Sequence, residues 1–451
     1  MQASGNQHAQ RMKRPNILQI IWHDLGAHLS CYGAGSVCSP CIDRMADEGV
    51  LFERHFSTGS VCVPSRCSIL TGRYPHAHRL WCCDADQTAF PALLRQAGYE
   101  TYRAGFREEG EFYPRTENFD RGQYARDVIG YSNSFERSDD FDVIADQVLR
   151  FLDGYAGDAP YYFCAAFSDV HRPNEVPVTE EEIERTCIPR ALPHMPDTFA
   201  SREDVAMLEK RIRRADAAVG RILERLRRSG KEDTIVFFTT DHGLDLPRAK
   251  QTLYDAGIHT ALIFWGSGCA QGVRNRGLHS HVDIFPTLLE LCGLPAPGTV
   301  QGESFAAAVK GDPEQGRSYV LAERAWEARM EPVRALRTKR YKYIRNYCPG
   351  FPIPLPPDYV KKVGAEQMLG RYDTPRPYEE LYDLNSDPYE LQNRAEDPAL
   401  IQIKAALAAE LDAILTRDGD PVRSTHEYLS FLREHAHGRW TRSGGRWVYR
   451  P

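Results

Sequence analysis

The segment Cys62-Val63-Pro64-Ser65-Arg66-Cys67-Ser68-Ile69-Leu70-Thr71-Gly72-Arg73 concentrates the side chains best suited to chemistry. Pro64 fits the first turn of a helix, where its missing N–H is no loss. A reactive group at position 62 then lies at the positive N-terminal end of that helix, where an anion is attracted. Arg66 adds a permanent charge nearby. Asp24, His171 and Asp241 each stand just beyond an apolar run that reads as a strand. Residues at the carboxyl ends of parallel strands gather on one edge of the sheet, so the three can meet. Other cysteines carry less. Cys38 and Cys41 form a single C-x-x-C and Cys82 adjoins Cys83, but no second pair with zinc-finger spacing accompanies either, so both read as ordinary free thiols.

The elements that would position these residues alternate. Residues 16–21 read as a buried parallel strand, 42–49 as a short helix closed by glycine, 91–98 as helix, 100–103 as strand, 141–152 as helix and 161–167 as strand. Ser201 with Asp204 three residues on reads as a capping box. Ile212, Ala215, Val219, Ile222, Leu223 and Leu226 then keep helical spacing until Gly230. The β-branched and aromatic run 234–240 follows as a strand. Repeated strand–helix units predict an α/β fold, a mostly parallel sheet sandwiched by helices. After about residue 315 the texture changes to short strands at 318–322, 334–337 and 341–345, which predict a small antiparallel sheet. A proline-rich stretch at 349–357 and an amphipathic helix at 401–415 follow, and 439–451 shows no strong pattern. The expected division is a tail at 1–14, a catalytic domain at 15–315 and a smaller C-terminal domain at 316–451.

A chain of 451 residues exceeds the roughly 250–300 at which one core stops growing, which agrees with that division. The formal net charge of -6 supplies neither a basic stripe for nucleic acid nor a polybasic patch for a membrane, so neither partner is expected. An anionic substrate must therefore be gripped locally. The apolar run at 17–22 is too brief for a signal h-region or a membrane span. Twelve scattered cysteines suit a reducing compartment, and the expected location is cytoplasmic.

The 62–73 segment resembles the sulfatase signature, C-x-P-S-R followed by L-T-G-R, on which a cysteine is oxidised to formylglycine. Further likeness runs from residue 15 to about 420. It is carried by Asn16-Ile17-Leu18 with Asp24-Leu25-Gly26, Cys31-Tyr32-Gly33, Pro40 with Ile42-Asp43-Arg44, residues 239–243, and Leu381-Tyr382-Asp383-Leu384 with Asp387-Pro388. Residues 168–173, and Leu246-Pro247 leading to Lys250 and Leu253-Tyr254, are similar to heparan N-sulfatase-like (sulfamidase-like) members. The resemblance implies an alkaline-phosphatase-like fold with a smaller C-terminal domain. It also implies one divalent metal, a formylglycine-generating maturation enzyme as partner, and a sulfated carbohydrate as substrate.

Carried over residue by residue, the resemblance assigns the metal to His23, Asp24, Asp241, His242 and the modified Cys62. Relatives normally end the first strand in two aspartates, so His23 is a departure; Asp241-His242 replaces the commoner Asp-Asn. Two imidazoles make a softer donor set than Ca2+ usually chooses, which leaves Mn2+ or Zn2+ open beside the Ca2+ that the resemblance favours. The implied nucleophile is a hydroxyl of the hydrated aldehyde at residue 62. Arg66 and Lys250 would face the sulfate oxygens, and His171 would protonate the leaving atom. Asp169 is a candidate contact for a substrate amine or hydroxyl.

One stretch departs from the pattern. Where relatives carry Gly-Lys followed by a histidine, residues 98–105 lead into Phe106-Arg107-Glu108, and the lysine and histidine are absent. Arg107 is the nearest replacement cation. The leading function is hydrolysis of a sulfate ester or sulfamate on a sulfated sugar or glycosaminoglycan fragment. A phosphonate monoester or phosphodiester hydrolase of the same superfamily and a non-catalytic sulfated-glycan-binding descendant are the alternatives.

Overall fold

Strands rich in β-branched and aromatic residues set the frame. The computed structural model describes residues 14–78, 88–106, 126, 129–168, 191–229, 233–326, 330–356, 372–424, 426–427, 439–443 and 446–450. In chain order the first strands are β1 (Asn16–Trp22), β2 (Val50–Phe52), β3 (His55–Phe56), β4 (Glu100–Gly105), β5 (Asn133–Ser134), β6 (Tyr161–Phe167) and β7 (Thr234–Thr240). They are followed by β8 (His259–Thr260), β9 (Leu262–Gly266), β10 (Val273–Asn275) and β11 (His279–Ser280). Eight of these form one sheet in the order β10-β2-β9-β7-β1-β6-β4-β5. Only β9 runs antiparallel to its neighbours. A three-stranded sheet, β11-β3-β8, lies beside it.

The central strands bury both faces, and their side chains split by parity, as a pleat requires. Leu18, Ile20, Trp22, Phe163, Ala165, Val236 and Phe238 face one core. It is covered by α1 (Pro40–Glu48), α4 (Phe141–Gly154) and α5 (Phe199–Ser229). Ile17, Ile21, Tyr162, Cys164, Ala166, Ile235 and Phe237 face the other, covered by α2 (Cys62–Thr71), α3 (Phe90–Gln96) and α6 (His281–Leu291). The expected α/β sandwich is therefore present.

Helix starts differ from expectation for local reasons. The Ser201 capping box does not form: α5 begins at Phe199, and the Thr198 hydroxyl accepts the Ser201 N–H at 3.2 Å, so Thr198 takes the capping role. In α1, Pro40 occupies the first turn, and the buried Asp216 of α5 accepts the N–H groups of Cys41 and Ile42 at 2.9–3.1 Å. A carboxylate from another helix thus does the work of a local cap.

Four antiparallel strands, β12 (Tyr319–Trp326), β13 (Met330–Thr338), β14 (Tyr341–Asn346) and β15 (Glu379–Asp383), form the separate small sheet. The strands expected at 318–322, 334–337 and 341–345 overlap β12, β13 and β14, which run longer, and β15 is a strand that the sequence pattern does not announce. Helix α7 (Ile401–Arg417) packs Leu411, Ile414 and Leu415 against Leu321, Leu336, Tyr343 and Leu381 of that sheet. Residues 439–443 and 446–450, in a stretch without a strong sequence pattern, form a hairpin of β16 (Arg439–Ser443) and β17 (Arg446–Arg450). Among the described residues no helix is long and apolar enough to cross a membrane.

Candidate active site

Register brings the strand ends level. Trp22 pairs with Phe167 on one side and Thr240 on the other, so His23, Ser168 and Asp241 leave the sheet together. The His23 N–H donates to the Phe167 carbonyl and the Asp241 N–H to the Trp22 carbonyl, both at 3.0 Å. Asp24 then takes φ 56°, and its N–H donates to Asp241 Oδ1 at 3.0 Å. A left-handed turn is uncommon outside glycine but is tolerated by aspartate, and at strand ends it re-aims a side chain. Behind it Gly26 and Gly243 pack backbone on backbone. A Cβ on Gly243 would stand 2.0 Å from the Ala256 carbonyl oxygen.

Helix α2 supplies the third component. Val61 enters it in extended conformation, and Cys62 lies in its first turn, 9% exposed. Cys62 Sγ is 3.3 Å from His242 Nε2, which is 3.0 Å from Asp24 Oδ1. His23 Nδ1 is 3.0 Å from Asp24 Oδ1 and 3.6 Å from Asp241 Oδ2. One potential ligand atom from each of His23, Asp24, Cys62 and His242 falls within 4.8 Å of the others. Ser65 ties α2 to the site, donating to the Asp241 carbonyl and lying 2.8 Å from His281 Nδ1.

Each nearby cation meets a carboxylate. Arg66 Nε donates to Asp241 Oδ2 at 3.0 Å, and Lys250 Nζ donates to both oxygens of Asp24 at 2.9 and 3.0 Å. Asp245 Oδ1 lies 3.8 Å from the same Nζ. Burial would favour the neutral form of every one of these groups. For His242 it is outweighed by Asp241, Cys62 and Asp24, and the imidazole is raised to about 10. For Asp241 burial is outweighed by His23, His242 and Arg66, which hold its carboxyl well below the usual range. Burial is likewise overcome at Lys250 by Asp24 and Asp245, which hold the ammonium charged.

Seven of the residues expected from sequence therefore converge: His23, Asp24, Cys62, Arg66, Asp241, His242 and Lys250. Arg107, Asp169 and His171 lie outside the described residues. Three participants went unnoticed in the sequence. Asp245 gives no signal beyond its place four residues after Asp241, and His281 gives none. Phe106 was read only as a missing lysine, yet its ring packs edge-on against His23 with centroids 5.1 Å apart.

The chain that carries this site has relatives. A family model described as Sulfatase matches residues 15–294, and one described as the C-terminal part of N-sulphoglucosamine sulphohydrolase matches residues 246–350. The chain belongs to the sulfatase family, hydrolases of sulfate esters and sulfamates. An ulvan-active sulfatase from Formosa agariphila is 30% identical over 456 residues, covering 90% of this chain and 76% of that protein. Human N-sulphoglucosamine sulphohydrolase, the sulfamidase that the sequence resembles, is 25% identical over 461 residues, covering 89% and 90% of the two chains. A phosphonate monoester hydrolase from Silicibacter pomeroyi superposes with a TM-score of 0.70 at 21% identity over 90% of this chain and 96% of that one. At that identity the likeness speaks for the fold alone, which is alkaline-phosphatase-like as expected.

Proposed function

We propose that this chain removes sulfate from a sulfated sugar or glycosaminoglycan fragment, cleaving a sulfate ester or sulfamate, through a formylglycine made from Cys62 and a divalent ion. The observation that carries this reading is the convergence of Cys62, at a helix N-terminus, with His23, Asp24, Asp241 and His242. The names of the relatives, an ulvan-active sulfatase and a glucosamine sulfohydrolase, support a carbohydrate substrate. The fold is shared with a phosphonate hydrolase and does not choose between the chemistries, whereas sequence likeness favours sulfate.

The donor chemistry fits a cation. Asp24, Asp241 and Asp245 bring three carboxylates against the charges of Arg66 and Lys250, and against the cost of burial Asp241, Cys62 and Asp24 hold a proton on His242. A divalent ion held by His23, Asp24, Asp241, His242 and residue 62 would take over that proton's electrostatic place. When bound, the ion would increase the acidity of the nucleophilic hydroxyl that converted residue 62 supplies. The chain's own groups do the rest. The N–H groups of the first turn of α2 and the Arg66 guanidinium draw the sulfate to residue 62. Lys250 balances Asp24 and stands ready for a sulfate oxygen as charge grows there. His171, which follows β6 in sequence, is assigned the proton for the leaving atom and Asp169 a substrate polar group.

The test pairs peptide mass spectrometry of residue 62 with assays on sulfated glycans, an aryl sulfate and an aryl phosphonate. Formylglycine at residue 62 together with preferential sulfate release is expected. An intact thiol in a host that converts another sulfatase, or a preference for the phosphonate, would overturn the reading.

A further inference from the structure

Phe106 stands where relatives carry a lysine and brings no charge of its own, but guanidinium groups collect on it. The Arg66 guanidinium carbon lies 5.7 Å from the ring centroid and that of Arg137 lies 5.3 Å from the same centroid, both in cation–π range. Arg66 is 2% exposed, whereas Arg137 is exposed. The half-buried ring, edge-on to His23, thus joins an inner cation to an outer one.

Backbone topology explains why Arg137 arrives there from thirty-one residues away. It follows β5, which pairs parallel to β4 through Tyr102 and Asn133, so the chain leaves β5 at the same end of the sheet as Phe106. Residues 135–140 are fastened. The Phe135 N–H donates to the Arg103 carbonyl at 2.9 Å, and the Gln147 side-chain amide donates to the Glu136 carbonyl at 2.9 Å. Ser168, at the end of β6, donates to Asp139 Oδ1 at 2.9 Å, and Asp140 caps α4. Most exposed arginines are solvated surface groups. This one combines an anchored backbone with an aromatic platform that touches a candidate metal ligand.

We propose that Arg137 is a substrate-binding residue that grips a second oxyanion of the substrate, a sulfate or a carboxylate, beside the sulfate that is removed. The inference rests on the sulfated-sugar reading above and narrows it to sugars carrying at least two anionic groups. Arg66, buried on Asp241, serves the inner position; the planar fork of Arg137, exposed on the same ring, matches an outer oxyanion.

The test uses full-length, metal-loaded Cys62→Ala protein, so that binding is read without turnover, and compares it with Cys62→Ala/Arg137→Ala and Cys62→Ala/Arg137→Lys. Calorimetry measures three probes: 6-O-sulfated glucosamine, its 2-N,6-O-disulfate, and a disaccharide joining the monosulfated sugar to a uronic acid. The preference of Cys62→Ala for one of the two doubly anionic probes over the monosulfate is expected to fall about tenfold or more with Arg137→Ala and to return in part with Arg137→Lys. Which probe responds tells sulfate from carboxylate. Thermal unfolding and metal content are followed alongside to separate binding from folding. An undiminished preference in Arg137→Ala, or no preference in Cys62→Ala itself, would overturn the assignment. Failure of Cys62→Ala to bind any of the three would instead sink the sulfated-sugar reading, and the role of Arg137 with it.

Discussion

At Asp24 a single carboxylate serves two masters, since Lys250 covers both of its oxygens and His23 and His242 each approach one of them at 3.0 Å. An ion held there, as proposed, would compete with the lysine for the same charge, and their roles can be separated. Lys250→Met frees Asp24, so the protein is expected to bind a divalent ion at least as tightly while turnover falls; loss of one charge-stabilising donor typically costs about 2.7–4 kcal/mol in the transition state. Asp24→Ala and Asp241→Ala should instead lose ion and activity together. Elemental analysis beside kinetics checks both, and parallel loss of metal in Lys250→Met would contradict this division. His23→Asp restores the pair of aspartates usual in the family and is expected to raise calcium affinity, because a hard cation prefers oxygen donors. Asp24 and Asp241 were legible because each stands just beyond an apolar strand, Cys62 and Arg66 because they lie in the signature segment, and His23, His242 and Lys250 only through the family resemblance. Phe106, His281 and Arg137 were not, because an aromatic, a buried neutral imidazole and a surface arginine are ordinary residues until packing juxtaposes them.

The elements translate that residue pattern into geometry through register. Tyr161–Phe167 and Thr234–Thr240 were legible to the residue, since continuous β-branched and aromatic runs between helical segments allow little else. β9 and β15 were harder. β9 inserts antiparallel into a parallel neighbourhood, and β15 is only five residues long, so neither periodicity nor chain order announces it. Glycine contacts are equally silent in sequence. Gly243 directly follows the Asp241-His242 pair, and a methyl group there would meet the Ala256 carbonyl and the backbone of Gly257. Gly243→Ala is expected to destabilise the fold by about 1–3 kcal/mol, as overpacking usually does, and to lower ion affinity by displacing His242. Denaturant unfolding and metal titration read the two effects. Normal ion affinity in a destabilised variant would show that the turn moves without carrying His242 with it.

Across the whole molecule, a buried charge network fastens the signature region to the small sheet. We place a domain division near residue 315, so this network would span it. His76, shortly after α2, donates from its backbone N–H and from Nδ1 to Glu323 of β12, at 3.1 and 2.6 Å. Arg334 of β13 forms a two-pronged pair with Asp420, which follows α7, at 2.6 and 3.0 Å. Arg334 and Glu323 approach to 3.9 Å, and all four residues are buried. Such a network stabilises little over an apolar replacement, but removing one member strands the others, so Glu323→Ala should cost about 3–5 kcal/mol. Its pH dependence has a definite sign. Burial opposes protonation of His76, but the charge and hydrogen bond of Glu323, with Asp420 behind, outweigh it and raise its pKa above the ordinary 6.5. That stabilisation is complete below 6.5 and is lost as pH rises through the raised folded value. Burial also opposes ionisation of Asp420, but Arg334 and His76 hold its pKa below the ordinary 3.8, so its contribution is present above 3.8 and is lost as pH falls through the lowered value. The network is therefore worth most between those two ordinary values. His76→Gln keeps a hydrogen-bonding amide without the charge. The stability gap between wild type and His76→Gln, followed by denaturant unfolding, should be widest in that window and narrow steadily on the alkaline side. A gap that stays constant as pH rises would mean that His76 holds Glu323 as a neutral ring, and that the two parts of the molecule are joined by hydrogen bonds rather than by charge.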